Sequence, residues 1–154
     1  YGLEAMGTMR IEKGHVAGPE LDGRTTPADL GLGRMQSRKK PHIGHALRDR
    51  EGLLDADRAV LVGLKLVRPK GRLRAGAHLV AQGAEAVQAN DEGHVTSIAF
   101  SPSEGRMIAL GFLARGSERH GETIAAVFPL NKERVTVQVC PPCFVDPEGA
   151  RLRG

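Results

Sequence analysis

The chain holds 154 residues, of which 40% are hydrophobic but only 3% aromatic, with no tryptophan. That is enough for one ordinary domain, or for one small domain plus part of another. The core must come from Leu, Val, Ile and Ala, which leaves few rings for base-stacking platforms. A formal charge of +4 and a pI near 9.4 keep nucleic acid, anionic membranes and acidic ligands in view. No eighteen-residue apolar run and no charged n-region before an apolar block is present, so the sequence gives neither a membrane-spanning helix nor a signal peptide.

In chain order, Leu3, Met6 and Met9 recur at helical spacing with Arg10 beside them, and Gly14 stands where a left-handed cap would end the helix. This pattern puts Arg10 close to the interior. Residues 18–25 carry Glu20, Asp22 and Arg24 with only Pro19 and Leu21 apolar, and read as a surface loop. Thr26-Pro27-Ala28-Asp29 supplies an N-cap hydroxyl, a proline at the first helical position and a carboxylate three residues after the cap. Gly31 then limits that helix to about one turn.

Arg34, Arg38, Lys39, Lys40, Arg48 and Arg50 follow, against the single acidic Asp49. Such a run is either a solvated basic face or a surface facing a polyanion or an acidic partner. A short helix is expected over residues 45–50, and residues 52–57 read as a linker.

Beyond the linker the periodicity shifts to short β runs: residues 59–67, 77–81, Val87, 93–100, 107–114, 123–128 and 134–140, with turns at 90–93 and 129–132. Val135, Val137 and Val139 alternate with Thr136 and Gln138, so one face is buried and the other wet. Residues 61–66 could be buried on both sides. Residues 108–113 fit strand or helix by period alone, and Gly111 and Gly116 favour strand. The expected fold is α+β: residues 1–52 mostly helix and loop, and residues 53–154 a small barrel of about six strands, closed so that no edge is exposed.

Motifs for self-sufficient catalysis are missing. No phosphate-binding glycine loop and no Gly-x-Ser-x-Gly elbow occur. The close carboxylates Glu20/Asp22 and Asp146/Glu148 do not by spacing make an acid–base pair. Cys140-Pro-Pro-Cys143 offers two thiols, too few to close a tetrahedral metal site, and the His42/His45 pair lacks a flanking carboxylate. No catalytic and no metal residue is therefore expected. Arg10 is the exception: a guanidinium stays ionised and presents a rigid fork of donors. Its partner could be Glu4, Glu12 or a carboxylate elsewhere in the chain, or it could be a ligand's carboxylate or heterocycle edge.

Six stretches carry a resemblance: MRIEKGHVAGPELDGRTTPADLGLG at 9–33, KKPHIG at 39–44, LVGLK at 61–65, GHVTSIAFSP at 93–102, IALGF at 108–112 and CFVDPEGARLRG at 143–154. In this order they resemble the glycine-cleavage T-protein (aminomethyltransferase) family, in the branch formed by the alpha subunits of heterotetrameric sarcosine oxidases. The resemblance implies the end of a folate-binding domain in residues 1–52, followed by a β-barrel in 53–154. It implies a parent that oxidatively demethylates sarcosine to glycine and captures the one-carbon unit on tetrahydrofolate, with FAD, FMN and NAD bound elsewhere in the complex.

MRIEKG aligns with the family's folate-lining arginine motif, which makes Arg10 the one cofactor-binding residue implied. The family's catalytic aspartate and its pterin-contacting glutamate precede this motif, and a tyrosine that some relatives carry near the C-terminus is missing after Phe144. The start in YGLEAM, without an initiator methionine, reads as a cut through a larger polypeptide. The implied partners are the preceding part of the same subunit, the other sarcosine oxidase subunits and a small-molecule folate, with no nucleic acid and no membrane, in a cytoplasmic protein not active as this piece alone. Two alternatives stay open: an aminomethyltransferase without an oxidase partner, and a non-catalytic barrel that binds RNA, which the scarcity of aromatics disfavours.

Overall fold

The structure is a computed structural model that describes residues 2–68 and 71–153, without the side chain of Leu152. Helix α1 (Leu3–Glu12) opens the chain and is followed by turns up to residue 58. Six strands come next: β1 (Ala59–Leu66), β2 (His78–Val80), β3 (Gly93–Ser101), β4 (Arg106–Ala114), β5 (Thr123–Phe128) and β6 (Glu133–Cys140). A last turn of helix, α2 (Ala150–Arg153), follows them. The strands are antiparallel and close into a barrel in the order β1-β4-β3-β2-β5-β6, the expected α+β architecture.

Alternation explains which residues fill the barrel. Val62, Leu64 and Leu66 of β1, Ala109 and Leu113 of β4, Ile124 and Ala126 of β5, and Val137 and Val139 of β6 point inward and are buried together with Val95 and Leu79. Strand β4 is buried on its other face too. Ile108, Leu110 and Phe112 point outward and pack with Leu61 of β1 and Ile11 of α1. A strand covered on both faces loses its polar alternation, which is why residues 108–113 are apolar without a break.

Strand β3 carries the one irregularity that shapes the site. Its pairing with β4 runs His94↔Phe112 and Val95↔Gly111, then resumes at Ser97↔Leu110, so Thr96 is an extra residue. Thr96 is buried and its hydroxyl donates to the Leu110 carbonyl at 3.0 Å. A β-bulge of this kind re-phases everything after it. Without it Ser97 would share the inward face of Val95. With it Ser97, Ala99 and Ser101 turn outward, toward α1.

Helix α1 ends as its sequence requires. The Gly14 N–H bonds to the Ile11 carbonyl (3.0 Å) and the His15 N–H to the Arg10 carbonyl (2.8 Å), with Gly14 at φ +74°: the Schellman arrangement. Glycine is needed here twice, since a Cβ would lie 2.6 Å from the Pro142 carbonyl oxygen. The helix end is tied to the far end of the chain, because the Phe144 and Val145 N–H groups both bond to the Glu12 carbonyl (2.8 and 3.0 Å). The Glu12 carboxylate accepts from Ser101, and Lys13 contacts Asp146.

Residues 27–31 make the capping contacts expected of a helix start but close as a hydrogen-bonded turn, not as a helix. The Thr26 N–H and hydroxyl both donate to Asp29 (2.8 and 2.9 Å), and Leu32 N–H closes onto the Pro27 carbonyl (2.8 Å).

Several expectations are corrected. Leu3, Met6 and Met9 are exposed, Leu3 at 84%, and Ile11 is the buried residue of α1; the face that packs on the barrel is set by contact with β3 and β4, not by the apolar spacing. The loop at residues 18–25 is not wholly on the surface, because Glu20 is fully buried. Residues 45–50 form a single 3₁₀ turn over His45–Leu47 instead of a helix, and Val87 precedes a 3₁₀ turn at Gln88–Asn90 instead of lying in a strand. Strand β2 is shorter than the run at 77–81.

Candidate functional site

Arg10 lies where α1, the following loop and the bulged strand β3 meet. Its Nη1 donates to Glu20 Oε2 (3.0 Å) and to the His15 carbonyl (3.3 Å), and its Nη2 donates to Ser97 Oγ (2.7 Å). Glu20 is buried with Oε1 accepting from the Ser97 hydroxyl at 2.5 Å and Oε2 also accepting from the Ala17 N–H at 2.8 Å. The expectation that Arg10 is close to the interior therefore takes a particular form. Its side chain is 25% exposed, and its ion-pair partner is Glu20, neither Glu4 nor Glu12.

A carboxylate taken fully out of water survives ionised only if its oxygens are satisfied. Burial pushes the Glu20 carboxyl up, but hydrogen bonds from Ser97 and the Ala17 N–H, with the Arg10 charge, more than offset it and hold the group below its ordinary value. The result is a fixed anion gripping one edge of a guanidinium. Of the five Arg10 N–H donors, three are engaged by protein oxygens. The rest belong to a side chain that still reaches the surface.

A second arginine–carboxylate pair supports the same seam and was not legible in the sequence. Arg58 Nε donates to Asp29 Oδ1 (3.0 Å) and Nη2 to Asp29 Oδ2 (2.5 Å) and to the Arg24 carbonyl (2.9 Å). The Leu61 N–H bonds to the Asp29 carbonyl (2.7 Å), so the turn at 26–31 is anchored to the first residues of β1. Burial raises the Asp29 carboxyl, yet the Arg58 and Thr26 hydrogen bonds leave it below its ordinary value. Between this turn and the outer face of the barrel lies a cleft of about 260 Å³, bordered by Pro19, Arg24, Arg58, His94 and Phe112.

The other candidates separate from this cluster. Cys140 and Cys143 are free thiols. Burial pushes the Cys140 thiol up to about 11, with Glu104 adding to the rise and Lys65 opposing it, which keeps it protonated and unreactive near neutrality. The His42 and His45 rings meet edge-on at 5.0 Å. Among the described residues no group of three His, Cys, Asp or Glu side chains is placed to hold a metal ion, and no helix is long and apolar enough to cross a membrane.

A closed six-stranded antiparallel barrel, with a helical segment on one wall and a locked arginine at the join, defines the class of domain. Residues 60–146 match the glycine cleavage T-protein C-terminal barrel domain, and the chain belongs to that family. It is similar to the sarcosine oxidase subunit alpha of Rhizobium meliloti (strain 1021), 45% identical over 153 residues that make up 99% of this chain and 16% of that protein. The sarcosine oxidase subunit alpha of Corynebacterium sp. (strain P-1) is 38% identical over all of this chain and 16% of its own length. The chain thus spans about a sixth of these relatives.

An aminomethyltransferase of Prochlorococcus marinus (strain MIT 9303) is 32% identical over 80% of this chain and 32% of that protein. Among solved structures, the glycine cleavage system aminomethyltransferase T from Bartonella henselae superposes with a TM-score of 0.72 over 93% of this chain and 38% of its own, at 24% identity, a likeness of fold.

Proposed function

We propose that this chain serves as the barrel-bearing end of a sarcosine oxidase alpha subunit, and that Arg10 helps to hold tetrahydrofolate there. In this reading residues 1–52 close the folate-binding domain and residues 53–154 form the barrel that backs it. The parent converts sarcosine to glycine on flavin held elsewhere in the complex, and the one-carbon unit passes to the folate.

One observation carries the reading: the Arg10 guanidinium, in the motif MRIEKG, is clamped on one edge by Glu20 and Ser97 while its remaining donors belong to a part-exposed side chain. That donor set fits a carboxylate or the polar edge of a heterocycle, and both occur in a folate. Tetrahydrofolate, when bound, supplies the amine nitrogens that take up the one-carbon unit. The residues of this chain do not make bonds; they orient. Glu20 fixes the direction of the guanidinium, Ser97 bridges the two, and the bulge at Thr96 sets Ser97 in place.

Arg10→Gln in the full-length protein tests this. Tetrahydrofolate binding, followed by calorimetry, is expected to weaken at least tenfold. Flavin reduction by sarcosine is expected to stay within about twofold, since that step lies elsewhere. Unchanged folate affinity overturns the reading. The Prochlorococcus relative favours a second one, an aminomethyltransferase with no oxidase partner; absence of any sarcosine-dependent flavin reduction in the parent would select it.

A further inference from the structure

We propose that the loop of residues 33–50 holds a binding site for a small oxyanion of charge −2 or more, independent of Arg10 and of the folate reading. Arg34, Arg38 and Arg48 line one cleft of about 570 Å³ together with Gln36, Gly33 and Ala28. No carboxylate is in that lining. Three guanidiniums line one cleft against the single carboxylate of Asp49, which pairs with Arg48, so the arrangement gains from a further counter-charge that accepts several N–H bonds at once.

The backbone of the cleft and its Arg48 side are held in place by hydrogen bonds. Arg48 is 18% exposed and spans the loop: its Nε contacts Asp49 Oδ2 (3.1 Å) and its Nη1 donates to the Ser37 carbonyl (3.4 Å), joining positions 37 and 48. Ser37 Oγ accepts the Lys39 and Lys40 N–H groups (3.2 and 2.9 Å), which fixes the backbone on either side of Arg38. The floor at Ala28 belongs to the turn that Asp29 ties to Arg58 and to β1. Arg34 and Arg38 enter no ion pair among the described residues. The cleft therefore offers two uncommitted forks and one fixed one.

Phosphate and carboxylate share the geometry these forks recognise, so the test uses both. Inorganic pyrophosphate and citrate are titrated separately into the full-length protein by calorimetry at about 50 mM salt, and the tighter of the two names the source. Arg34→Gln/Arg38→Gln is expected to weaken that binding at least tenfold. Lys39→Gln/Lys40→Gln removes the same charge outside the cleft and is expected to change it less than threefold. Equal losses in the two double variants would mean a diffuse basic face and overturn the proposal, as would binding of neither anion. All four side chains replaced are exposed, and unchanged thermal unfolding midpoints confirm that the variants are folded.

Discussion

The Ser97 hydroxyl donates to the buried Glu20 carboxylate at 2.5 Å across 77 positions of sequence. It also accepts a hydrogen bond from Arg10. A serine on a barrel strand thus joins an arginine on a helix to a glutamate in a loop, and the three act as one unit.

Removing Glu20 should cost both stability and alignment. Glu20→Ala leaves Arg10 without its counter-ion and the Ala17 N–H and Ser97 hydroxyl without an acceptor. Breaking one side of such a pair costs about 3 kcal/mol, read as a lowered urea midpoint with unchanged m-value. Ser97→Ala, which leaves the ion pair itself, should cost about 1 kcal/mol.

Acid should act through the same carboxylates. Glu20 and Asp29 are both held below their ordinary values of 4.5 and 3.8. A carboxyl that resists protonation in the folded state contributes stability above its unfolded pKa and loses that contribution as pH falls through the folded one. Unfolding midpoints should be level above about pH 5 and fall below about pH 4. Asp29→Asn should start lower and flatten the acid limb; an unchanged slope would contradict the assignment.

Gly14→Ala tests the cap and the close approach together. At φ +74° an L-residue is strained, and its Cβ would press on the Pro142 carbonyl 2.6 Å away. A loss of roughly 2 kcal/mol or more is expected. Gly31→Ala, also at positive φ (+72°) but with open space around its Cβ, should cost only about 1 kcal/mol. The difference measures the approach of the Cys140-Pro-Pro-Cys143 segment to the helix end.

Alkylation should distinguish the two thiols. With the Cys140 thiol pushed up to about 11, iodoacetamide near neutral pH should modify Cys143 first, with peptide mapping as the readout. A thiol whose folded pKa exceeds its ordinary 9.0 favours the folded state at low pH and gives up that contribution as pH rises from 9 toward 11. Cys140→Ala should flatten that alkaline decline.

The sequence by itself determined the local features, because each depends on residues close in the chain. The Gly14 stop, the Thr26–Asp29 capping turn, five of the six strands near their observed bounds and the division between helical and β character all follow from spacing, propensity and turn chemistry. Arg10 could be singled out along the chain, but its partner Glu20 could not. The helix face was misread, because α1 is too short and too weakly amphipathic for its apolar spacing to say which side meets the barrel.

Only the tertiary structure decided that Glu20 is buried, that Asp29 answers Arg58, and that Ser97 faces the arginine. The physical reason lies in Thr96. One inserted residue in β3 reverses the facing of every side chain after it, and whether a strand is bulged depends on its pairing with β4, which no count along the chain contains.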